Sequence, residues 1–80
     1  MTRHEIIRSI NEFLIEEIEI EEELIPEADL RKDLGIDSLD FVDIVVIVEK
    51  TFGFKIKGEE LKDVKTLAEF YNYVEERVQK

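Results

Sequence analysis

Ile6, Ile7, Ile10, Phe13 and Leu14 recur at spacings of three and four, which predicts a helix beginning near Thr2 and fading around Glu17. The period then lapses. Ile18-Glu19-Ile20 alternates like a strand, but no second strand is available to pair with it. Residues 18–32 are therefore read as a long connection broken by Pro26, with Leu24, Ile25 and Leu30 turned inward. Connections of this length are usually functional or disordered. Gly35 closes this one, and Asp37 is a good N-cap with Asp40 three residues on, a capping box with the shorter acid. The second helix should run to about Thr51, with Gly53 as the glycine past its end. Residues 54–57 read as extended and 59–62 as a short helical turn. Thr66 with Glu69 is a T-x-x-E box that opens a last helix, whose stripe is Leu67, Phe70, Tyr71, Val74 and Val78, with Tyr73 facing solvent. The expected fold is all-α: one domain over residues 1–80, a small bundle of three main helices plus one short helix, with a long loop between the first two.

The second helix is apolar on two sides. At about 100° per residue, Phe41, Ile44, Val45, Val48 and Phe52 form a core face. Leu39, Val42 and Val46 form another, centred roughly 140° away. Asp43 and Lys50 flank this second stripe on one side and Glu49 on the other. A helix apolar nearly all round is normally buried all round, yet a chain of 80 residues has little with which to cover both faces. Two readings stand: an exposed docking patch rimmed by charge, or ordinary core beneath the long loop.

Composition narrows the function. There is no cysteine, which excludes disulfides and thiolate metal sites and suits a reducing cytoplasm. The first residues lack the apolar core of a signal peptide. The longest apolar run, Ile44 to Val48, is five residues, against the roughly 18 of a membrane span. Twenty-one acids against eleven bases, a net charge of −10, repel nucleic acid and anionic membranes and attract basic protein surfaces. His4 is the single histidine and sits near the terminus, so no Ser-His-Asp set can be assembled. The acids between Glu16 and Glu23 lack calcium-loop spacing and its glycine, and read as a solvated face.

Ser38 stands in the first turn of the second helix. Free amides and the helix dipole there favour a phosphate ester, while the charges of Asp37 and Asp40 oppose it. A serine after an N-cap aspartate is by itself ordinarily just a first-turn residue. The longer string is specific: Asp33-Leu34-Gly35-Ile36-Asp37-Ser38-Leu39-Asp40, then Val42-Asp43, an apolar helix, and Glu49, Phe52, Gly53 and Ile56. This resembles an acyl carrier protein of the bacterial type, and the resemblance covers the whole chain. It implies a monomeric carrier with no catalysis of its own. A phosphopantetheinyl transferase would move 4′-phosphopantetheine from coenzyme A onto Ser38, with magnesium belonging to the transferase. The arm's thiol would hold acyl groups as thioesters for a ketosynthase, an acyltransferase and other acyl-processing enzymes. The resemblance further implies an acyl pocket along Phe41, Ile44, Val45 and Val48, and docking through Asp37, Leu39, Asp40, Val42, Asp43, Val46 and Glu49. Leu39, Val42 and Val46 are also the second stripe of the wheel. The contrasting expectation is an unmodified acidic adaptor that only binds a partner through this helix.

The chain departs from the family's pattern in places. Phe41 stands where a small polar residue is more usual. Val45-Val46-Ile47-Val48 is β-branched where the family often uses Met, Ala and Leu, and stiffer side chains adapt less to varied cargo. Lys50 replaces a common acid, and Lys55 and Lys57 add positive charge nearby. Aspartate before the serine favours acyl over aminoacyl cargo. Together these suggest a carrier dedicated to one fatty-acid, polyketide or lipid pathway.

Overall fold

A computed structural model describes residues 1–78, and among these the regular elements are helices: α1 (Arg3–Glu16), α2 (Ser38–Phe52), α3 (Gly58–Leu61) and α4 (Leu67–Val78). α1 packs against α4 and α2 against α3. The all-α expectation therefore holds, with the short helix one residue earlier than the sequence suggested.

Each long helix starts where a side chain can take its free amides. Thr2 accepts from the Glu5 amide while Glu5 accepts from Thr2, a box of the same T-x-x-E spacing as that at Thr66. Asp37 and Asp40 do the same for α2 at 2.9 and 3.2 Å, and Thr66 and Glu69 for α4. α2 ends on Gly53 at φ 81°, a left-handed conformation that a Cβ would strain; its amide closes on the Glu49 carbonyl. α1 has no such glycine. Glu19 takes φ 63° just beyond it, and the amide of Ile20 reaches back to the carbonyl of Leu14.

The core is continuous. Ile6, Ile10 and Leu14 of α1 and Leu67, Phe70 and Val74 of α4 are all but sealed, and Phe13 meets Phe70 edge-on at 6.5 Å. α2 contributes Ile44 and Val48, and α3 contributes Leu61. The loop between α1 and α2 supplies much of the remainder through Ile20, Ala28, Leu30, Leu34 and Ile36.

That loop is held by its backbone. The carbonyls of Pro26 and Ala28 accept the first-turn amides of Ala68 and Leu67, and the Leu30 amide donates to Lys65, so the loop caps α4. Asp29 makes the turn rigid: its carboxylate accepts the amides of Arg31 and Lys32, and Asp33 accepts the amide of Asp29. The amide bonds from Lys32 and Arg31 hold the Asp29 carboxyl below the usual range.

Several side chains lie elsewhere than the pattern suggested. Leu30 is buried and Leu24 half-buried, but Ile25 is 42% exposed, because the turn through Pro26 and Glu27 swings it outward. Tyr73 is half-buried rather than solvent-facing, since Glu60 of α3 accepts its hydroxyl and Arg77 stacks 4.3 Å over its ring. Phe41 and Val45, read as core, are only half-buried, because they border a cavity.

Candidate functional site

Ser38 is the first residue of α2 and is exposed. The amide of Asp40 is taken by the Asp37 carboxylate and that of Phe41 by the Asp37 carbonyl. The amides of Ser38 and Leu39 precede any intrahelical acceptor, as the first amides of every helix do. An anion on the Ser38 hydroxyl would thus sit against free N–H groups at the positive end of the dipole. Asp37 and Asp40 work against it by charge, though each spends one carboxylate oxygen on the cap.

Ser38 also lines a cavity of about 750 Å³ between α2, α3 and the end of the long loop, well within the roughly 300–1,000 Å³ of small-molecule sites. From α2 come Phe41, Val42, Val45 and Val46; the loop adds Ile36, and α3 adds Gly58 and Leu61. Two cations, Arg31 and Lys62, and the acid Asp37 complete the wall. An exposed hydroxyl beside free helix amides, opening onto an apolar cavity, fits a phosphodiester-linked arm with a hydrocarbon cargo.

The structure divides the predicted site residues. Of the four pocket candidates, Phe41 and Val45 form the wall, whereas Ile44 and Val48 are 1% and 0% exposed in the core. Leu39, Val42 and Val46 are 78%, 62% and 46% exposed, so the loop does not cover them. It cannot, because its backbone is engaged with α4. Val42 and Val46 also edge the cavity. Asp43 and Glu49 are exposed and Asp40 is half-buried around this stripe.

Arg31, Ile36, Leu61 and Lys62 escaped the sequence reading. They come from the loop and from the four-residue helix and the residue just past it, where helical periodicity carries no signal. Arg31 is the most firmly placed. Its guanidinium donates to the carbonyls of Val64 at 3.2 Å and Leu61 at 3.1 Å and lies 4.6 Å over the Phe41 ring. The aromatic at position 41, unusual by its residue type, thus serves as the platform for this cation.

A helical bundle with an exposed hydroxyl at a helix start and a cavity beside it has the geometry of a tethering protein, one that holds a prosthetic arm and presents it. The family profile described as "Phosphopantetheine attachment site" matches residues 7–74. Curated acyl carrier proteins are similar over nearly the whole length. That of Rubrobacter xylanophilus is 39% identical over 77 residues, 95% of each chain, and that of Coprothermobacter proteolyticus is 38% identical, over 94% of this chain and 93% of its own. That of Saccharopolyspora erythraea is 40% identical over 84% of this chain and 72% of its own. The chain belongs to the acyl carrier protein family: a carrier rather than an enzyme, bearing acyl chains on a 4′-phosphopantetheine arm. Family membership implies a phosphopantetheinyl transferase and acyl-processing enzymes as partners.

Proposed function

We propose that Ser38 is the attachment point, that Leu39, Val42 and Val46 are the docking face, and that the cavity shelters the cargo. The observation that supports this reading is the coincidence at Ser38 of an exposed hydroxyl, free helix amides and an opening onto an apolar cavity. When bound, the arm supplies a thiol for thioester linkage, which a chain without cysteine lacks. The protein's own residues position and shelter. Asp37 and Asp40 hold the first turn, Phe41 and Val45 line the cargo space, and Ile44 and Val48 anchor the same helix in the core. Asp37, Asp40, Asp43 and Glu49 rim the docking stripe, steering basic partner surfaces toward it while the apolar stripe supplies contact area.

The cargo is acyl, and the partners include the ketosynthase and acyltransferase of a fatty-acid, polyketide or related lipid pathway. The rigid β-branched run on α2 and the cationic side chains near α3 favour a dedicated carrier over a general one. The working form is a cytoplasmic monomer; among the described residues no helix is long and apolar enough to cross a membrane.

Incubation with coenzyme A, magnesium and a promiscuous transferase tests the attachment by intact mass. The wild type gains one phosphopantetheine and Ser38→Ala gains none. No gain in the wild type, or a gain that survives Ser38→Ala, rejects the assignment and leaves an unmodified adaptor.

A further inference from the structure

The cavity wall is mostly apolar; its polar members are the cations Arg31 and Lys62, the Ser38 hydroxyl and, beside that serine at the start of the helix, the single acid Asp37. Ile36, Phe41, Val45 and Leu61 offer hydrocarbon, while Arg31 and Lys62 bring positive charge into the space that Ser38 shares. Arg31 is exposed, yet its guanidinium is pinned rather than free. Two main-chain carbonyls and an aromatic face hold its guanidinium in place. A guanidinium has five N–H donors, and the two carbonyl bonds leave others without an acceptor among the described residues. A saturated chain laid over these donors displaces water and returns no hydrogen bond, which is costly. A chain carrying oxygen returns one, and a carboxylate returns a charge-assisted pair in a geometry that suits the guanidinium fork.

Resting on the carrier reading above, we propose that Arg31, aided by Lys62, is a specificity-determining residue that makes this cavity prefer oxygen-bearing acyl chains, carboxylates foremost, over saturated chains of equal length. Arg31 acts on the cargo and takes no part in attachment. Phe41 acts through Arg31, holding the guanidinium at the wall.

The test uses the full-length holo protein charged with octanoyl, 3-hydroxyoctanoyl or octanedioyl groups. Two properties are read: the half-life of the thioester in hydroxylamine, which lengthens when the chain is sheltered, and the shift in Tm on charging. The octanedioyl thioester should outlast the octanoyl one about tenfold, the order expected of one charge-assisted hydrogen bond, with 3-hydroxyoctanoyl between them. Arg31→Met keeps an apolar stem without donors and should abolish or invert the order; Lys62→Gln should narrow it. Equal half-lives for the three cargoes in the wild type overturn the proposal, even if the Arg31 variant does not fold. So does an Arg31→Met protein that keeps the wild-type order. If Arg31 instead pairs with the phosphodiester, Arg31→Met moves the ³¹P resonance of the uncharged holo protein and weakens shelter equally for all three cargoes, which also overturns it. Failure to form the holo protein at all refutes the attachment reading instead, and intact mass tells the two failures apart.

Discussion

Val46 and Val48 are two residues apart on one helix and should respond oppositely to the same substitution. Val48 is 0% exposed and Val46 46% exposed. A fully buried valine is worth roughly 1.5 kcal/mol at the low end of side-chain burial, so Val46→Asp forfeits at most about 1 kcal/mol of burial. Aspartate and valine differ little in helix propensity, and position 46 lies in mid-helix, away from both dipole ends. At Val48 a carboxylate has no water and no partner, which costs several kcal/mol. A domain of 80 residues has about 4–12 kcal/mol in total, at ~0.05–0.15 kcal/mol per residue. Val46→Asp should therefore stay folded in urea melts followed by circular dichroism, while Val48→Asp should be largely unfolded. The folded variant should nonetheless be loaded by the transferase about tenfold less efficiently, the order of one interface hot spot. The new charge has the sign that basic partners prefer, so the loss should appear in affinity with the salt dependence intact. Val46→Ser, without that charge, should show the same loss. An unfolded Val46→Asp would mean that the stripe is core, and loading at the wild-type rate would mean that it is no docking face.

The remaining expectations concern the cap and the charge. Asp37→Ala removes an oxygen that accepts an amide at 2.9 Å and should cost about 1 kcal/mol, whereas Asp37→Asn keeps the acceptor and should cost a few tenths; equal losses in the two variants would show that charge, not capping, is what the residue provides. Glu5, Asp29, Glu60 and Glu69 are all held below their ordinary values, Glu60 chiefly by the Tyr73 hydroxyl and then Arg77, the other three chiefly by backbone amides. Their contribution is complete above the unfolded-state values of 4.5 for Glu and 3.8 for Asp and is lost as pH falls through the lower folded values. Self-repulsion at a net charge of −10 works the other way, easing as acids protonate. Tm should thus rise from pH 7 to about 5, fall in stronger acid, and rise with added salt at pH 7; a steady fall from pH 7 downward, or indifference to salt, would contradict this balance.

What could be read from the residues was whatever depends on neighbours along the chain. The Asp37 and Thr66 boxes, the glycine at 53 and the stripe of α4 are local chemistry at spacings of three and four, and they define the same helices in the fold. The motif around Ser38 was legible for the same reason, since it is one contiguous string. The loop was not. Its order comes from amide bonds to the start of α4 and from Asp29, more than thirty residues from Thr66 in sequence, and no period along the loop encodes them. Ile25 and Tyr73 were misplaced because the bend at Pro26 and the approach of Glu60 decide their exposure. Arg31 is the sharpest case. In sequence it is a base in an acidic stretch, and only folding brings it to the Phe41 ring and the carbonyls of Leu61 and Val64. Helix and motif follow from short-range hydrogen bonding and amphipathic period, whereas the cavity and its cations arise from the packing of segments that share no period.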